Sequence, residues 1–324
     1  MKTEIVRGKD AVPRAVRLLR AGEPVALPTE TVYGLAADAL NPRAVLKVFA
    51  VKKRPRFDPL IVHVPGPEWI DEIARVQGSL LFLVERLVKD FWPGPLTLVL
   101  PRRRNVPDVV TAGLRSVAIR NSAHKVFSAI ITEFGRPVAA PSANRFGRIS
   151  PTSAADVRDE LAGRIPLIVD GGRTEHGIES TVVALRRGEI EILRRGPITA
   201  EQLRRIAPVV FREPLKRPRS PGQLATHYAP QTPLQIIASA NAFRPRKNMR
   251  YGLLAWRTPQ AEQFAETRQL SERGDLAEAA ANLFRCLREL DRMDLDFIIA
   301  ESVPERGIGS AIMDRLRRAA AKRS

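Results

Sequence analysis

The stretch "VKKRPRFDPLIVHV", residues 51–64, joins two kinds of local structure. The segment that leads into it, "NPRAVLKVFAVK", has the apolar spacing of a helix, with Pro42 in its first turn. Pro55 and Pro59 then stiffen a basic loop, and "LIVHV" is a continuous apolar run typical of a buried strand. Amphipathic segments and short apolar runs alternate in this way along the chain, which predicts an α/β fold.

Other segments extend this pattern on both sides. Apolar residues at helical spacing predict helices over residues 11–22, 41–52, 78–91, 153–163 and 199–207. Short apolar runs predict strands over residues 24–29, 59–64, 96–101, 116–121, 137–143 and 166–172, and a hairpin over 180–196. Thr152 or Ser153 is expected to cap the fourth of these helices, because a hydroxyl there satisfies free amide groups.

A proline-rich segment separates this pattern from a second one. Beyond it, apolar runs typical of parallel buried strands occur at 234–239, 251–256 and 296–302, with helices expected over 275–291 and 310–322. The sequence therefore predicts three parts: a first domain over 1–210, a linker or lid over 211–233, and a smaller α/β domain over 234–324.

The composition limits the classes of function. The 324 residues include 53 Lys and Arg against 35 Asp and Glu, and the formal net charge of +18 favours anionic partners such as RNA, nucleotides and phosphates. No apolar run approaches the roughly 18–20 residues of a membrane span, and "MKTEIVRGKD" lacks the apolar core of a signal peptide. Cys286 is the single cysteine, so no internal disulfide or thiolate metal site is expected, and a reducing cytoplasm fits best.

The basic residues of the opening stretch have two interpretations. If the chain is extended there, Lys52 and Arg54 project to the same side, where an ammonium and a planar guanidinium suit one polyphosphate. The neighbouring prolines would lower the entropic cost of holding those side chains in place. A solvent-exposed basic loop explains the same residues, and the local pattern leaves both interpretations open.

Polar clusters supply further candidate groups. In "PTETVYGLAADA", residues 28–39, two threonines flank Glu30 after a strand, so they either suit a polar ligand or cap a helix that begins near residue 35. The stretch "APSANRFGRISPT", residues 140–152, is rich in hydroxyl and amide side chains. It resembles loops that wrap phosphate, and a polar turn with a helix cap is the alternative.

Two arginines and two histidines complete the inventory. Arg120 and Arg194 lie at strand ends, where each either meets an anionic group or is an exposed charge. His63 and His176 lack the spacing of zinc ligands. Neither a Walker loop nor a G-x-S-x-G nucleophile motif occurs in the sequence.

The motifs are far more specific together than singly. "PTETVYGLAADA", "KKRPRFDPLIVHV", "FWPGPLTLVL", "PSANRFGRISPT", "GIESTVV" and "LRRG" occur in this order, and the chain resembles the YrdC-like family of L-threonylcarbamoyladenylate synthases. The segment "SPGQLATHYAP" and the α/β tail resemble the longer, two-domain form, so the resemblance covers essentially the whole chain. It implies a twisted mixed sheet around a positive cavity, followed by a smaller Rossmann-like α/β domain.

The resemblance also implies an activity and its partners. Members of this family are nucleotidyltransferases that join L-threonine, bicarbonate and ATP, with Mg²⁺ accompanying ATP, and release threonylcarbamoyl-AMP and pyrophosphate. Other proteins then use this intermediate to make t6A at position 37 of tRNAs that read ANN codons. The implied partners are therefore these transfer proteins and, by contact, RNA or tRNA, and no membrane partner is expected.

The family's motifs map onto individual residues. The catalytic tetrad would be Lys52, Arg54, Ser142 and Asn144. Threonine would be surrounded by Thr31, His63, Arg120, Ala140 and Ser180. ATP would be bound by Arg54, Asp58, Ser116, Ser142, Ser150, Arg194 and, from the linker, Tyr228. No protein side chain is assigned to a metal.

Two places depart from the family's pattern. Asp58 stands where many relatives have asparagine, and an anion beside phosphates needs a metal or Lys53 to balance it. Arg115 and Ser116 occupy a place that is usually small and polar. Both departures concern the ATP assignments.

Two other functions remain open from the sequence. A non-catalytic RNA-binding protein would use the same positive charge, because phosphate contacts dominate such affinity. A carbamoyltransferase of the hydrogenase-maturation type shares the tetrad, but that class carries acylphosphatase and zinc-finger segments, which a chain with one cysteine lacks. For the synthase, the chemistry predicts positioning, charge neutralisation and a lid that excludes water, and no residue stands out as a general base.

Overall fold

A computed structural model describes residues 1–186, 188–212, 220, 222, 227–258 and 262–321. The chain forms two compact units. The first comprises Met1–Phe146, Pro151–Thr174 and Glu179–Leu224, and the second comprises Gly147–Ser150, Glu175–Ile178 and Ala225–Ser324. Two short segments that interrupt the first unit in the sequence, Gly147–Ser150 and Glu175–Ile178, therefore belong to the second unit.

The first unit combines short strands with helices of up to 13 residues. Its strands are β1 Glu4–Val6, β2 Val25–Leu27, β3 Gly34–Asp38, β4 Ile61–His63, β5 Leu96–Pro101, β6 Ser116–Arg120, β7 Val138–Ala139, β8 Leu167–Val169, β9 Thr181–Arg186, β10 Glu189–Arg194 and β11 Val209–Val210. Its helices are α1 Ala11–Arg20, α2 Pro42–Lys52, α3 Ile70–Ile73, α4 Ser79–Phe91, α5 Asp108–Thr111, α6 Lys125–Phe134, α7 Ala154–Leu161 and α8 Ala200–Leu203.

These strands form one mixed sheet. Its order is β1-β8-β2-β3-β7-β4-β6-β5-β9-β10-β11. Neighbours run parallel at β1–β8, β8–β2, β4–β6, β5–β9 and β10–β11, and the remaining pairs are antiparallel. The predicted α/β class with a twisted mixed sheet is confirmed.

Alternation along the central strands separates core from polar side chains. Leu98 of β5 and Ile119 of β6 are cross-strand partners, and both are buried in a hydrophobic cluster. Successive side chains of a strand point to opposite faces, so Thr97, Ser116 and Arg120 share the other face of the sheet. Several of the candidate site residues lie on that face.

Local signals set the two ends of helix α2. Asn41 caps the first turn, with Pro42 as the first helical residue. Lys53 adopts a left-handed conformation with φ 52°, which ends the helix at Lys52, and Arg54 N then donates to Phe49 O at 3.0 Å. The premise that the chain is extended at Lys52 and Arg54 is therefore wrong, because a left-handed residue turns the backbone between them.

Other sequence predictions for this unit are confirmed or corrected locally. Strands β9 and β10 form the predicted antiparallel hairpin. Ser153 caps α7, because its side chain accepts from Asp156 N. The alternative of a helix that begins near residue 35 is wrong. Gly34–Asp38 forms strand β3, which pairs with β2 and β7.

The second unit is a smaller α/β structure. Its strands are β12 Leu234–Ile237, β13 Tyr251–Ala255, β14 Glu266–Gln269 and β15 Phe297–Glu301, and its helices are α9 Leu276–Asp291 and α10 Gly309–Ala320. The strands form a parallel sheet in the order β12-β15-β13-β14. The predicted parallel arrangement of the three apolar runs is confirmed.

About half of the predicted linker or lid over 211–233 lies outside the described residues, since 213–219, 221 and 223–226 are not among them. In the part of the chain that the structure describes, no helix combines the length and the apolar character needed to cross a membrane.

Candidate active site

A turn after β2 contributes the first side chains of the site. Thr29, Glu30 and Thr31 are all buried. The Thr29 hydroxyl donates to Val32 O at 2.6 Å, accepts from Thr31 N at 3.1 Å and lies 2.9 Å from the Thr31 hydroxyl. These contacts fix the turn, with Glu30 between the two threonines.

Arg120, the last residue of β6, is held by three neighbours. Its Nε donates to Gly94 O at 3.2 Å, and one terminal nitrogen donates to Thr31 Oγ1 at 2.9 Å. The other terminal nitrogen lies 2.7 Å from Glu30 Oε1, and the two side chains are only 4% and 5% exposed. The alternative that Arg120 is an exposed charge at a strand end is therefore wrong, because it forms a buried ion pair.

The ion pair between Glu30 and Arg120 is stable in its charged form. Burial alone would raise the pKa of Glu30, but the Arg120 charge and hydrogen bonds from Ser122 and Arg120 outweigh burial and hold this pKa at about 2. Ser122 Oγ donates to Glu30 Oε2. This region of the site therefore carries one positive and one negative charge at neutral pH.

His63 lies beside this pair as a neutral group. It is the cross-strand partner of Arg120 in β4, and its ring centroid is 5.0 Å from that of Phe127. Burial, followed by the Arg120 charge, lowers the pKa of His63 to about 3 despite the opposing charge of Glu30. Ala140, assigned with His63 to threonine, donates its amide to Ile61 O of the same strand at 3.0 Å.

Lys52 is almost completely buried at the end of α2. Its ammonium donates to the carbonyl oxygens of Ser142 and Asn144. The structure thus brings together three members of the predicted tetrad, with Lys52 contacting the backbone of the other two. Burial, with the nearby Arg54 charge, lowers the pKa of Lys52 well below its usual range, against the opposing charges of Glu160 and Asp58.

Arg54, the fourth member of the tetrad, folds onto its own loop. Its Nε donates to Asp58 O at 3.1 Å, and a terminal nitrogen donates to Pro59 O at 2.8 Å. The same guanidinium lies 2.8 Å from the Asp58 carboxylate, with both side chains 5% exposed or less. The interpretation of this segment as a uniformly exposed basic loop is wrong for Lys52 and Arg54, while Lys53 and Arg56 are exposed.

Asp58 faces more positive charge than Arg54 alone. Burial raises its pKa, and the charges of Arg54, Lys52 and Arg194 oppose that rise. Three basic side chains therefore surround one carboxylate. Arg54 and not Lys53 is the direct partner of Asp58, which answers how the chain accommodates an acid at this position.

Ser180 and Arg194 join the two groups of candidate residues. Arg194 donates from Nε to Ser180 O at 3.0 Å and from a terminal nitrogen to Ser180 Oγ at 2.9 Å. Ser180 Oγ also lies 2.8 Å from Thr97 Oγ1. The charge of Arg194 lowers the pKa of Asp58, and both residues are assigned to ATP. Ser180 is assigned to threonine, so the residues assigned to the two substrates meet here.

Ser116 lies further out on the same face of the sheet. It lines a cavity of about 390 Å³ together with Val99, Ala184, Leu193 and neighbouring residues. Ser116 and Arg120 are the first and last residues of β6, so about 13 Å of strand separates them. Leu193, which also lines this groove, directly precedes Arg194 in β10.

Ser150 and Tyr228 belong to the second unit. Ser150 is completely buried, and Tyr228 is buried with its ring stacked 5.3 Å from the Phe284 ring. Ala229, the residue after Tyr228, donates its amide to Gly147 O at 2.9 Å. The loop of Ser150 and the "HYAP" segment are thus tied within one unit, and their assignment to ATP stays a prediction.

Sequence reasoning missed the part that Glu30, Ser122 and Thr97 play in this arrangement. Glu30 stands inside a motif that the sequence singled out, but its partner Arg120 is 90 residues away. The available signals were two apolar strands, one followed by a carboxylate and one ending in an arginine, and the alternation that places Thr97 on the polar face of β5.

Side chains that commonly bind metal ions are not clustered in the described part of the chain. Among the described residues, no group of three or more His, Cys, Asp or Glu side chains is placed to hold an ion. The described site instead offers hydroxyl, guanidinium, ammonium and carboxylate groups on a buried polar face.

Comparisons with known proteins bear on the whole chain. The family described as "Telomere recombination" matches residues 17–196, and the family described as "Threonylcarbamoyl-AMP synthase, C-terminal domain" matches residues 198–321. The threonylcarbamoyl-AMP synthase of Bacillus subtilis is 42% identical, over 99% of this chain and 96% of the relative. That of Pyrococcus abyssi is 39% identical, over 95% of this chain and 94% of the relative.

A solved structure extends the similarity to the fold. The crystal structure of P. abyssi Sua5 complexed with L-threonine is similar with a TM-score of 0.88 and 36% identity. The match covers 99% of this chain and 98% of that chain. Both units of the present structure therefore have counterparts in one relative.

Proposed function

This chain belongs to the threonylcarbamoyl-AMP synthase family, and we propose that its first unit joins L-threonine, bicarbonate and ATP into threonylcarbamoyl-AMP and pyrophosphate. The observation that carries the proposal is the meeting of two differently charged regions at Ser180 and Arg194. One region contains the balanced pair of Glu30 and Arg120, and the other has three basic side chains around Asp58. An amino acid with both charges suits the first region, and a polyphosphate suits the second.

In the balanced region, threonine would contact the five residues that the family's motifs assign to it. Arg120 would bind the threonine carboxylate, since a guanidinium presents a planar set of donors. Glu30 acts through Arg120 as a positioning residue, because it fixes one terminal nitrogen of the guanidinium. His63, with a pKa of about 3, is too weak a base at neutral pH to accept a proton from the amine, so its role is a hydrogen bond.

In the positive region, Lys52, Arg54 and Arg194 would bind the ATP phosphates. The threonine amine attacks bicarbonate and, with loss of water, gives a carbamate. A carbamate oxygen then bonds to the α-phosphorus as the bond to the β-phosphate oxygen breaks and pyrophosphate leaves. The basic side chains would stabilise the charge that develops on the leaving pyrophosphate.

Mg²⁺ is proposed to enter with ATP as part of the substrate. Bound to phosphate oxygens, it neutralises charge on the leaving group. The carboxylate of Asp58, which lies against Arg54, is an oxygen donor of the kind that Mg²⁺ takes. Because Arg54 already pairs with this carboxylate, we assign no protein side chain to the metal.

The groove at Ser116 is proposed to hold the adenosine. Val99, Ala184 and Leu193 give it apolar walls, and Ser116 adds a hydroxyl. Ligand sites are commonly apolar with a few placed polar groups, which matches this lining. Leu193 of the groove directly precedes Arg194 in β10, so we place the adenosine here and the phosphates at the basic cluster.

The product of this reaction serves tRNA modification. We propose that downstream transfer proteins use it to form t6A at position 37 of tRNAs reading ANN codons. The single cysteine supports a cytoplasmic location, where thiols stay reduced.

Purified protein incubated with Mg²⁺, ATP, labelled threonine and bicarbonate tests the proposal. We expect pyrophosphate release that requires both threonine and bicarbonate, and a labelled product that contains AMP. Pyrophosphate release that ignores threonine, or no release at all, would reject the proposed function.

A further inference from the structure

A second concentration of positive charge lies on the first unit, away from Lys52 and Arg54. The residues that line a cavity of about 410 Å³ there are all arginines: Arg75, Arg102, Arg103, Arg104 and Arg115. We call this cavity the arginine pocket. Neither the reaction chemistry nor the family's motifs assign it a role.

Backbone hydrogen bonds bring these arginines together. Arg75 N donates to Pro101 O at 2.8 Å, which places the segment after α3 beside the end of β5. Arg102 N donates to Arg115 O at 3.0 Å, which extends the pairing of β5 with β6. Three neighbouring backbone segments thus present arginines at one place, and no ligand is needed to gather them.

The five guanidinium groups differ in how they are engaged. Arg102 donates to Val106 O at 2.9 Å and pairs with Asp108, while Arg103 donates to Ala74 O at 3.1 Å. The other three, Arg75, Arg104 and Arg115, are exposed, and among the described residues none has an acidic partner within ion-pair distance. The pocket therefore presents more positive charge than its surroundings balance.

We propose that the arginine pocket binds the phosphate backbone of RNA. Its lining is made of long, mostly exposed side chains, which suits an extended polyanion that several cations can neutralise at once. Small phosphate ligands are usually enclosed by backbone amides or a helix N-terminus, and this lining consists of side chains. No aromatic residue lines the pocket, so base stacking contributes nothing and binding is independent of sequence.

The position of the pocket favours RNA for a second reason. Arg115 lines both the arginine pocket and the groove that contains Ser116. An RNA strand held there would lie next to the groove proposed for adenosine. The choice of RNA rests on the proposed function in this respect, because the product of that reaction is destined for tRNA.

The test uses the full chain, an unmodified tRNA transcript and a double variant, Arg75→Gln with Arg104→Gln. The side chains of these two exposed arginines form no hydrogen bond or ion pair within the described structure, so the variant should fold normally. We expect about tenfold weaker RNA binding at 50 mM salt and a salt slope smaller by about two, since each arginine neutralises one phosphate. Threonine-dependent pyrophosphate release without RNA should stay within about twofold, because neither residue contacts the proposed substrate sites.

A matched control removes the same charge elsewhere. Arg17 and Arg43 are exposed residues of α1 and α2, and Arg17→Gln with Arg43→Gln should leave RNA affinity and its salt slope unchanged. Equal losses in both double variants would mean that net charge and not the pocket binds RNA, which overturns the proposal. Inorganic tripolyphosphate is a second probe. If it binds tightly, if only the pocket variant loses that binding, and if RNA does not compete with it, the pocket is a small-anion site and the proposal is overturned. Absence of pyrophosphate release with pocket-dependent RNA binding intact would reject the proposed reaction and leave the pocket as an RNA site.

Discussion

The two charged regions of the site solve the problem of buried charge differently. At Glu30 and Arg120, one cation meets one anion at 2.7 Å; Ser122 also donates a hydrogen bond to Glu30, and Arg120 donates one to Thr31. At Asp58, three basic side chains meet one carboxylate, and burial raises the pKa of Asp58 and lowers that of Lys52. The first region is a one-to-one ion pair, whereas in the second the charges that act on Asp58 are all positive and Glu160 also acts on Lys52.

This difference shows what each region can bind. A satisfied ion pair holds its geometry without a ligand, which suits precise placement of a small zwitterion. A cluster of basic groups gains most from a polyanion, whose phosphates would favour the charged form of Lys52. The region that lacks balance is therefore the one expected to carry the larger catalytic effect.

The largest expected effect comes from removing a cation from the unbalanced region. Arg54→Ala should lower turnover by about 1000-fold or more, because an arginine on a transferring phosphate is worth that much in related chemistry. The rate of threonine-dependent pyrophosphate release checks this. Activity within tenfold of the parent protein would show that the phosphates bind elsewhere.

A control separates this effect from misfolding. Arg54→Ala leaves Asp58 buried without its partner, and such a loss typically costs about 3–5 kcal/mol of stability. The double variant Arg54→Ala with Asp58→Asn removes both charges and should recover most of that stability. We expect its thermal unfolding to be close to that of the parent while turnover remains lost.

In the balanced region, Glu30→Gln should act on threonine alone. The change leaves the side-chain shape but removes the charge that fixes Arg120, so we expect KM for threonine to rise about tenfold. KM for ATP should stay within about twofold, and Ser122→Ala, which removes one hydrogen bond to Glu30, should give a smaller rise of the same kind. Equal rises in both KM values would contradict the separation of the two regions.

His63 should make the protein less stable in mild acid. Its pKa in the folded state is about 3 against an ordinary 6.5, so below about pH 6.5 the unfolded chain binds a proton that the folded chain does not. This lowers the free energy of unfolding as pH falls, by roughly 2 kcal/mol between pH 7 and pH 5.

Denaturant titrations of His63→Gln measure this contribution. The variant should lose that part of the pH dependence, while His124→Gln, at a half-buried histidine, should lose less. An unchanged pH dependence in His63→Gln would show that His63 is not held neutral by burial and Arg120.

The smallest effect is expected at Asp58. Asp58→Asn removes the carboxylate that pairs with Arg54, but keeps the backbone acceptors at Asp58 O and Pro59 O. Less negative charge near the phosphates should lower KM for ATP by about threefold with kcat little changed. A large loss of kcat would instead support a required role for the carboxylate, such as holding Mg²⁺.

Most of the fold follows from patterns that act over a few residues. Apolar runs and helical spacing predict the strands around residues 96–101 and 116–121 and the helix at 41–52, because burial dictates these patterns locally. Strand β3 has the weaker sequence "GLAAD", and helix α6 holds "KVFSAII", whose β-branched and aromatic residues favour strand as much as helix. Local patterns predict neither element, because tertiary packing decides between strand and helix in both segments.

The site was predictable in its residue types more than in its geometry. Lys52 and Arg54 stood out as a phosphate-binding pair, but the left-handed Lys53 that brings them together was not visible in the sequence. The contact of Glu30 with Arg120 depends on the order of strands in the sheet, which local patterns do not encode. The sequence alone does not explain an acid at position 58, because its pairing with Arg54 depends on how the loop folds.

Separate binding of threonine and of Mg²⁺-ATP, measured by calorimetry in two variants, tests the central claim most directly. The account predicts that Glu30→Gln weakens threonine binding and leaves ATP binding intact. It predicts the reverse for Arg54→Ala with Asp58→Asn, which should weaken ATP binding and leave threonine binding intact. Both variants losing both ligands to the same extent would contradict the division of the site into a balanced and an unbalanced region.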